Sequence, residues 1–565
     1  MPRHAVRVTA RAPWPSGRSL QSASFGSLWV LLAAGCPSDT PEPGPDPIPG
    51  YVLTLNPSVI DGTDPFAGGP DVSLVVDHDG ELDVTFLGSA NGQLSLPKLP
   101  LLEQGDRVGI LVESVGGEAD AWDPDLTLGY GQVTLEEDLP TDGGTVDLNI
   151  LVAPYGVLPP TGTMGGTTTR VHAGIAMAPG GDVFVFGGAD PDRTSGFGGA
   201  ASGTVFVLGN TDEGNVRMNK LDVTMPETTF GVLFTSISDT YAGSDAVLVD
   251  DEDGPRILVT GGRTDYNQPD GNTESAFLFD PEARDWVMDG DAPLRIQMDV
   301  AMSTHRHVVM DNGDVLLFGG LIDDGEVGPL VQLYESGRRR FSEVLAISQS
   351  PAVFEPSAAS LGPLGAMVCG GTDLPPGAAQ ETDPWPATDA CYRISFDGDL
   401  SSRAPLPIPL VFHAMVRLTD GRVLVTGGME TELSPTIQSV PASASAKAYL
   451  YDPDADSWSE VGAMEKARGG HELIALPDGG AMVVGGTEGV GVIYGRTGQA
   501  VTCWERFDAT TESFTEGDCN GVGEGMRLKV ATAPGEEVFV LTGLWDDFNE
   551  MYSSGSFGLF AAGLP

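Results

Sequence analysis

The sequence predicts an all-β protein in which one unit of about fifty residues recurs along most of the chain. Six Gly-Gly pairs each end a short apolar run, and successive pairs are 74, 58, 51, 57 and 58 residues apart. The chain of 565 residues contains 76 Gly and 43 Pro, which suits many turns and short strands rather than long helices. The pairs are Gly187-Gly188, Gly261-Gly262, Gly319-Gly320, Gly370-Gly371, Gly427-Gly428 and Gly485-Gly486.

Each unit carries the pattern of four antiparallel strands. In the fifth unit, an Asp420-Gly421 turn precedes the β-prone run Val423–Thr426, and the glycine pair follows that run. A third strand then ends in Tyr451-Asp452, and a second aromatic residue, Trp458, follows Tyr451 by seven residues. This order of turns and apolar runs predicts a tight hairpin followed by two further strands.

Sheets of this size cannot bury both faces alone, so neighbouring units are expected to stack around an axis and close into a ring. The motif resembles the kelch repeat family of β-propellers, with the best match at Ala448–Pro453 and Trp458. The resemblance spans about residues 160 to 565 and implies a kelch-type β-propeller over residues 154–565. Seven blades are expected because Thr542-Gly543 continues the series, and six are the alternative. A strand from Leu151 to Thr163 is expected to complete the last blade.

The amino terminus has the features of an export signal over residues 1–35. Four arginines precede an apolar stretch at 25–35, which is too short to span a bilayer. Its end, Leu31–Cys36, resembles the lipobox of bacterial lipoproteins, although Ala33 stands where that family usually has Leu. The resemblance implies that Cys36 is acylated and anchors the protein in a lipid bilayer at the outer membrane, in the periplasm or at the cell surface. Ordinary secretion is the alternative, and residues 36–49, half of them proline, predict an extended tether.

Residues 50–153 lack the repeat and predict a small β-sandwich, because alternating apolar runs there are bounded by Gly, Pro and Asp. Two acidic stretches, Asp77–Glu81 and Asp452–Asp456, have spacings that would suit Ca²⁺. Both are better explained as turns between strands. We therefore expect no cofactor, with Ca²⁺ as the alternative and a transition metal disfavoured.

Four of the five cysteines predict two disulfides. Cys369 ends the second strand of the fourth unit and Cys391 begins its third, so the two lie opposite one another in an antiparallel pair. Cys503 and Cys519 flank the third and fourth strands of the sixth unit in a similar way. An oxidising compartment is consistent with both bonds, and buried free thiols are the alternative.

The chain is strongly acidic, with 80 Asp and Glu against 29 Lys and Arg and a formal net charge of −51. Such a charge repels nucleic acids and anionic membrane surfaces, so neither is expected as a partner of the folded body. It maintains solubility and is compatible with divalent cations or basic partners.

Histidines recur in register with the glycine pairs. His305, His413 and His471 each stand 14 residues before a pair, and His172 stands 15 before its own. These positions begin the first strand of a blade, where the side chains would line one mouth of the channel. Converging imidazoles could bind a transition metal. A residue that recurs in register more often serves each blade locally, here by hydrogen bonding to loop backbone, and this is the favoured interpretation.

Enzymatic signatures are absent from the sequence. The propeller is similar to the scaffold of the copper enzyme galactose oxidase, but no tyrosine adjoins a register histidine, so the copper ligands of that enzyme do not carry over. Metalloprotease, hydrolase, phosphate-loop and dinucleotide motifs are missing as well. A glycosidase carboxylate pair would leave no linear motif. The chain is therefore not expected to be an enzyme, although the sequence leaves this open.

Long connections follow the glycine pairs, for example at 189–203, 372–390, 429–446 and 487–502, and they leave the face on which the histidines lie. We call this the loop face. Its candidate binding aromatics are Tyr266, Trp385 and Trp545. The expected function is an exported, lipid-anchored binding or scaffolding protein of the bacterial cell envelope whose partner is a protein or a glycan. The alternatives are an extracellular enzyme acting on glycans, a metal-dependent oxidase or a purely structural protein, and the oligomeric state is left open.

Overall fold

The computed structural model describes the strands and most of the turns of the chain. Within the described part, every regular element is a strand except for two 3-10 turns at Ser336–Arg338 and Gly362–Leu364, which confirms the all-β class. The described residues are 5–8, 30–35, 52–60, 66–78, 81–89, 102–104, 106–114, 127–135, 145–154, 173–179, 182–188, 204–210, 215–226, 243–263, 271–322, 326–328, 331–342, 353–372, 387–430, 442–476, 479–490, 501, 503–516, 529–531, 538–542 and 557–561.

The first nine strands build two sheets that pack face to face. One sheet has the order β5-β4-β6-β7-β9, and in the other β3 pairs in parallel with β8 and continues through β2 to β1. Leu74 and Ile110 from the first sheet share one core with Leu55 and Ile150 from the second, as in a β-sandwich. The strands are β1 (Ala5–Val8), β2 (Val30–Gly35), β3 (Val52–Ile60), β4 (Asp71–His78), β5 (Glu81–Ser89), β6 (Arg107–Glu113), β7 (Thr127–Thr134), β8 (Thr145–Leu151) and β9 (Ala153–Pro154).

The remaining strands fall into successive groups, each with one antiparallel sheet and some with strands of an additional two-stranded sheet. The first three contain β10 (Gly174–Met177), β11 (Val183–Phe186), β12 (Thr204–Asn210) and β13 (Asn215–Thr224); β14 (Asp245–Asp251), β15 (Gly254–Thr260), β16 (Ser275–Asp280), β17 (Asp285–Trp286), β18 (Met288–Asp289), β19 (Ala292–Pro293) and β20 (Arg295–Gln297); β21 (Arg306–Val309), β22 (Val315–Phe318), β23 (Val331–Glu335) and β24 (Arg340–Ser342). The later ones contain β25 (Ser357–Ser360), β26 (Ala366–Cys369), β27 (Cys391–Ile394) and β28 (Leu400–Arg403); β29 (Leu410–Val411), β30 (Ala414–Arg417), β31 (Val423–Thr426), β32 (Met429–Glu430), β33 (Ala442–Ser443), β34 (Ala448–Asp452) and β35 (Ser457–Glu460); β36 (Glu472–Ala475), β37 (Ala481–Val484), β38 (Gly489–Val490), β39 (Glu505–Asp508) and β40 (Ser513–Glu516); β41 (Lys529–Ala531), β42 (Val538–Thr542) and β43 (Phe557–Ala561).

These sheets are the blades of a propeller. A typical blade has the order β21-β22-β23-β24, and its second strand is buried on both sides, which is why that strand is a continuous apolar run such as Val315–Phe318. The first strands contact one another in succession, from β10 to β14, β21, β25, β30 and β36. At the other end of this succession, β10 also contacts β41, the first strand of the last sheet. The number of blades stays a prediction, because part of the last sheet lies outside the described residues.

The aromatic spacing of the repeat is a cross-strand pair. Tyr451 lies directly opposite Trp458 in the β34–β35 ladder, with ring centroids 4.9 Å apart. Phe279 and Trp286 form the same pair at 5.2 Å. Each indole then reaches the preceding blade, because Trp286 donates to the carbonyl of Thr224 at 2.7 Å and Trp458 donates to that of Ala404 at 2.9 Å. The pair therefore joins consecutive blades as well as the two outer strands of one blade.

One expectation at the domain junction is wrong for the part that the structure describes. Leu151 belongs to β8, and Ala153-Pro154 form β9, which pairs with β7 of the sandwich instead of completing the last blade. Residues 155–163 lie outside the described part. The sandwich nevertheless adjoins the propeller, because β7 and β9 contact β43, and β3 pairs in parallel with β13 of the first blade.

The predicted disulfide between Cys369 and Cys391 is present, and the two residues are opposite partners in the β26–β27 ladder. Cys503 is also disulfide-bonded. Cys519 lies outside the described residues, so its pairing with Cys503 stays a prediction.

Candidate functional site

The register histidines lie between consecutive blades. The Nε2 atom of His305 is 2.7 Å from the hydroxyl of Thr260, which ends the second strand of the preceding blade. His471 is 2.8 Å from Thr426 in the same arrangement one interface further on. Both imidazoles are almost fully buried. Each therefore acts locally at one blade interface, through a threonine side chain rather than through the loop backbone that the sequence suggested.

The glycine pairs provide the space that these rings occupy. A Cβ atom at Gly261 or Gly427 would lie 2.7 Å from Cε1 of the histidine of the next blade, and one at Gly370 would lie 2.6 Å from that of His413. These glycines also have positive φ angles of 56°, 58° and 66°. Steric room and backbone conformation thus both require glycine here, which explains why the pair and the histidine recur together.

His413 differs from the other two histidines because its blade interface has Cys369 where they have threonine. Cys369 is committed to the disulfide with Cys391. Within the described part of the chain, neither ring nitrogen of His413 has a hydrogen-bond partner. Burial alone lowers the pKa of His413 to about 3, so the ring is neutral. Burial, together with the charge of Arg468, also lowers the pKa of His471.

A cavity of about 680 Å³ occupies the propeller axis and is lined by the first strands of the blades. At its loop-face end, Arg306 donates from Nη1 to Oε1 of Glu472 at 2.8 Å, although the two residues belong to sheets that are not neighbours in the ring. The carboxylate of Glu472 is the main cause that raises the pKa of Arg306, and Glu355 and Asp245 act in the same direction. Charged side chains from three sheets, those of Asp245, Arg306 and Glu472, therefore meet at this end of the channel.

His307 belongs to the same end of the channel and was not singled out from the sequence. Its Nε2 atom is 2.7 Å from the Thr260 hydroxyl, and its Nδ1 atom is 3.4 Å from Oδ2 of Asp245. Hydroxyl, imidazole and carboxylate thus stand in the order of a nucleophile, a base and an orienting acid. Thr260, however, has no solvent exposure and also contacts His305, so its hydroxyl is not accessible to a substrate.

The sequence feature that could have identified these channel residues is their equivalent position in successive repeats. Asp245, Arg306, Ser357, Ala414 and Glu472 all begin a first strand, and Arg306, Ala414 and Glu472 directly follow the register histidines. Sequence reasoning concentrated on the position that the histidines occupy and gave Arg306, which directly follows His305, the same local structural role. Variation between blades is expected where side chains face a shared axis rather than an equivalent local environment.

The opposite end of the cavity lies at the short turns between first and second strands. Arg417 lies 3.2 Å from Oδ2 of Asp311, and the Ser360 hydroxyl donates to Oδ1 of Asp311 at 2.9 Å. The channel therefore carries an arginine–carboxylate pair near each end, with aliphatic first strands between them.

The acidic stretch Asp452–Asp456 holds the backbone of the turn. Asp452 accepts from the backbone N–H groups of Asp454 and Ala455, at 2.9 and 3.0 Å. Asp456 accepts from Ala404 of the preceding blade and from the Tyr451 hydroxyl, and the Ala404 hydrogen bond lowers its pKa. Among the residues that the structure describes, no group of three or more His, Cys, Asp or Glu is placed to hold a metal ion.

Several candidates from the sequence lie outside the described residues, namely Cys36, His172, Tyr266, Trp385, Cys519 and Trp545. The other acidic stretch, Asp77–Glu81, joins β4 to β5, and His78 is directly opposite Glu81, as in a hairpin. No helix in the described part of the chain has the length and hydropathy needed to cross a membrane.

Comparisons with curated proteins and with solved structures both gave matches. One curated relative, Kelch repeat and BTB domain-containing protein 12 of Danio rerio, is 32% identical over 131 residues, which are 23% of this chain and 20% of that protein. The fold is kelch-like and all-β. The match spans only about a fifth of that relative. Among solved structures, "Structure of YjhT" aligns with a TM-score of 0.40 and 12% identity over 63% of this chain and 99% of its own. No protein-family model matches the chain.

Proposed function

We propose that this protein is an exported, lipid-anchored binding or scaffolding protein of the bacterial cell envelope, and that the loop face of its propeller binds a protein or a glycan. The observation that carries the proposal is the convergence of Asp245, Arg306 and Glu472 from three sheets at the loop-face end of an axial cavity. Ligand sites in rigid scaffolds are commonly built where side chains from several elements meet at a concavity.

Backbone hydrogen bonds at the base of the long connections support the proposal. Ser303 and Leu321 exchange backbone hydrogen bonds of 3.0 and 2.9 Å, so the segment before one register histidine holds the start of the connection after the glycine pair. Gly469 and Thr487 exchange the equivalent bonds in a later blade, both at 3.0 Å. The connections of these later blades also pair with one another through β33 and β38. The loop face thus has a fixed platform from which binding groups can project.

The place of the protein in the cell follows from the leader. The resemblance of Leu31–Cys36 to a lipobox supports acylation of Cys36. Cleavage before Cys36 would remove β1 and β2 and leave β3 without its β2 partner, and the proline-rich residues 36–49 would then hold the folded body away from the bilayer. Expression of the complete chain in a bacterium fed an alkyne-tagged fatty acid tests this. We expect label on the native protein and none on Cys36→Ala. Equal labelling of the two proteins would exclude an anchor at this position.

A charge-reversal pair tests the binding face. Residues 50–565 are applied to a glycan array and to an immobilised envelope extract, as the native protein, as Glu472→Lys at the loop face and as Asp420→Lys at the short-turn face. We expect at least tenfold weaker binding for Glu472→Lys and little change for Asp420→Lys. The reverse ranking would move the binding surface to the short-turn face and contradict the proposal.

A further inference from the structure

The axial cavity has the size of a small-molecule site. Its volume of about 680 Å³ lies within the range of about 300 to 1,000 Å³ that is usual for ligand pockets. Aliphatic side chains, with Ile175, Val247 and Met415 among them, line part of the wall, and charged and hydroxyl groups line the rest, towards the two ends. A ligand would therefore place an apolar surface against the strands and its polar groups at an end.

The loop-face end offers donors and acceptors side by side. Arg306 makes one hydrogen bond within the described part of the chain, through Nη1, and about 30% of its side chain is exposed, so further guanidinium N–H groups face the cavity. Glu472 engages Arg306 through Oε1, which leaves its second carboxylate oxygen as an acceptor. Ser357, a lining residue, adds a hydroxyl that can both donate and accept.

Charge decides which class of ligand fits this end. An anion would approach the carboxylates of Asp245, Glu355 and Glu472, and a cation would approach Arg306. An ion bound to one partner of the Arg306–Glu472 pair would lie beside the like charge of the other partner, which is costly at a partly buried site. A neutral polyol avoids both costs, because one hydroxyl can donate to Glu472 while its neighbour accepts from Arg306 and the ion pair stays intact.

We propose that the loop-face end of the axial cavity is a binding site for a neutral, hydroxyl-rich ligand of the size of one or two sugar rings. Adjacent hydroxyls contact Arg306 and Glu472, and the C–H face of the ring packs on the aliphatic first strands. The inference rests on the proposed binding function and favours a glycan over a protein as the partner of that face.

Ligand-observed NMR titration of residues 50–565 with defined sugars tests the site. The probes are methyl glucoside, methyl galactoside, maltose and cellobiose as neutral ligands, glucuronate as an anion, glucosamine as a cation and leucine as a zwitterion. We expect saturable binding of at least one neutral sugar and at least tenfold weaker binding of the charged probes. Absence of saturable binding for all neutral sugars, or tighter binding of a charged probe, would overturn the proposal.

Variants locate the site. Arg306→Gln should weaken sugar binding at least tenfold, whereas Arg422→Gln, which removes a guanidinium bound to Asp420 and Glu512 outside the cavity lining, should leave it unchanged. Ser357→Leu is a second variant in case Arg306→Gln does not fold. It keeps the ion pair and fills part of the cavity, so it should also abolish binding. Undiminished binding by a folded Ser357→Leu protein would refute the site. Sugars could fail to bind while the envelope extract still binds the native protein more tightly than Glu472→Lys. In that case the proposed binding function stands and only the sugar site is excluded.

Discussion

The contribution of an interface histidine to stability differs from one blade interface to another, because its hydrogen-bond partner differs. His471 bonds to Thr426, whereas His413 faces Cys369 and has no hydrogen-bond partner within the described part of the chain. A buried imidazole without a partner carries a desolvation cost that a hydrogen bond would offset. At this interface the residue in the position of the threonine is part of a disulfide, so the ring of His413 fills the space between the blades without a hydrogen bond to that residue.

Replacing the two histidines by leucine should separate these contributions. His471→Leu leaves the Thr426 hydroxyl buried without a partner and should lower the free energy of unfolding by about 1 to 3 kcal/mol. His413→Leu removes an unpartnered polar ring and should change it by less than about 1 kcal/mol. Urea unfolding followed by tryptophan fluorescence measures both. Equal losses would show that ring shape, and not the hydrogen bond, determines the contribution.

The same histidine predicts a pH effect. The pKa of His413 is about 3 in the folded protein, below the ordinary value of 6.5, so the unfolded state binds more protons between pH 3 and 6.5. Stability from this group is therefore full above pH 6.5 and is lost as the pH falls towards 3, by up to about 1.4 kcal/mol per pH unit. The difference in unfolding free energy between the native protein and His413→Leu should shift in favour of the variant from pH 7 to pH 5. A difference that does not depend on pH would contradict the buried, neutral ring.

The glycine pairs allow a matched test of steric room. Gly427 and Gly421 both have positive φ, at 58° and 89°, but a Cβ at Gly427 would meet the backbone carbonyl of Arg468 and the ring of His471, whereas one at Gly421 would have no atom within 4 Å. Gly421→Ala should cost about 1 to 2 kcal/mol from backbone conformation alone. Gly427→Ala should cost at least about 2 kcal/mol more, because the ring or the strand must move. Calorimetry of the two variants gives the comparison, and similar losses would exclude a steric role for the histidine.

At the scale of an element, the sixth blade is held by a buried ion pair that also organises the loop before its first strand. Arg468 and Glu505 have no solvent exposure and lie 2.5 Å apart. Glu505 also accepts from the backbone N–H groups of Glu465 and Lys466, and Arg468 donates to the carbonyls of Gly485 and Cys503. In the third blade, Gln332 holds the backbone of Val300 in the equivalent place without any charge.

Breaking this pair from one side should be costly. Arg468→Met leaves the carboxylate of Glu505 buried and unpaired and should lower the free energy of unfolding by about 3 to 5 kcal/mol. The double variant Arg468→Met, Glu505→Gln should recover part of the loss, because the amide carries no charge and its oxygen can still accept from one of the two backbone N–H groups. Denaturant unfolding of both measures the recovery. A double variant no more stable than the single one would show that the charge of Glu505 is not what makes the loss large.

An element could be predicted from the sequence where the interactions that determine it join residues close together in the chain. The strands, the hairpin turns and the spacing from Tyr451 to Trp458 follow from short-range pattern, and the disulfide from Cys369 to Cys391 follows from the register of one hairpin. The Arg306–Glu472 pair joins residues 166 positions apart across the ring, and no local pattern reports such a contact. His307 was missed for the same reason, since its role depends on Thr260 and Asp245 of another blade.

At the scale of the whole molecule, the chain of 565 residues carries a formal net charge of −51. Such a charge destabilises the compact state through self-repulsion, and salt screens it within about 10 Å at 0.1 M. Raising sodium chloride from about 10 mM to about 300 mM should therefore raise the melting temperature by several degrees. Differential scanning calorimetry checks this. A melting temperature that falls with salt would mean that exposed ion pairs such as Arg422–Glu512 outweigh the repulsion.

The amino-acid sequence by itself determined the all-β class, the kelch-like repeat and the positions of the histidines, because each depends on residues close together in the chain or on their recurrence in register. Only the tertiary structure decided what those histidines touch, how β3 of the sandwich joins β13 of the first blade, and which side chains meet at the channel. Closing sheets around an axis brings the starts of distant strands together. The geometry of the ring determines which charged side chains meet there, and spacing along the sequence does not predict it.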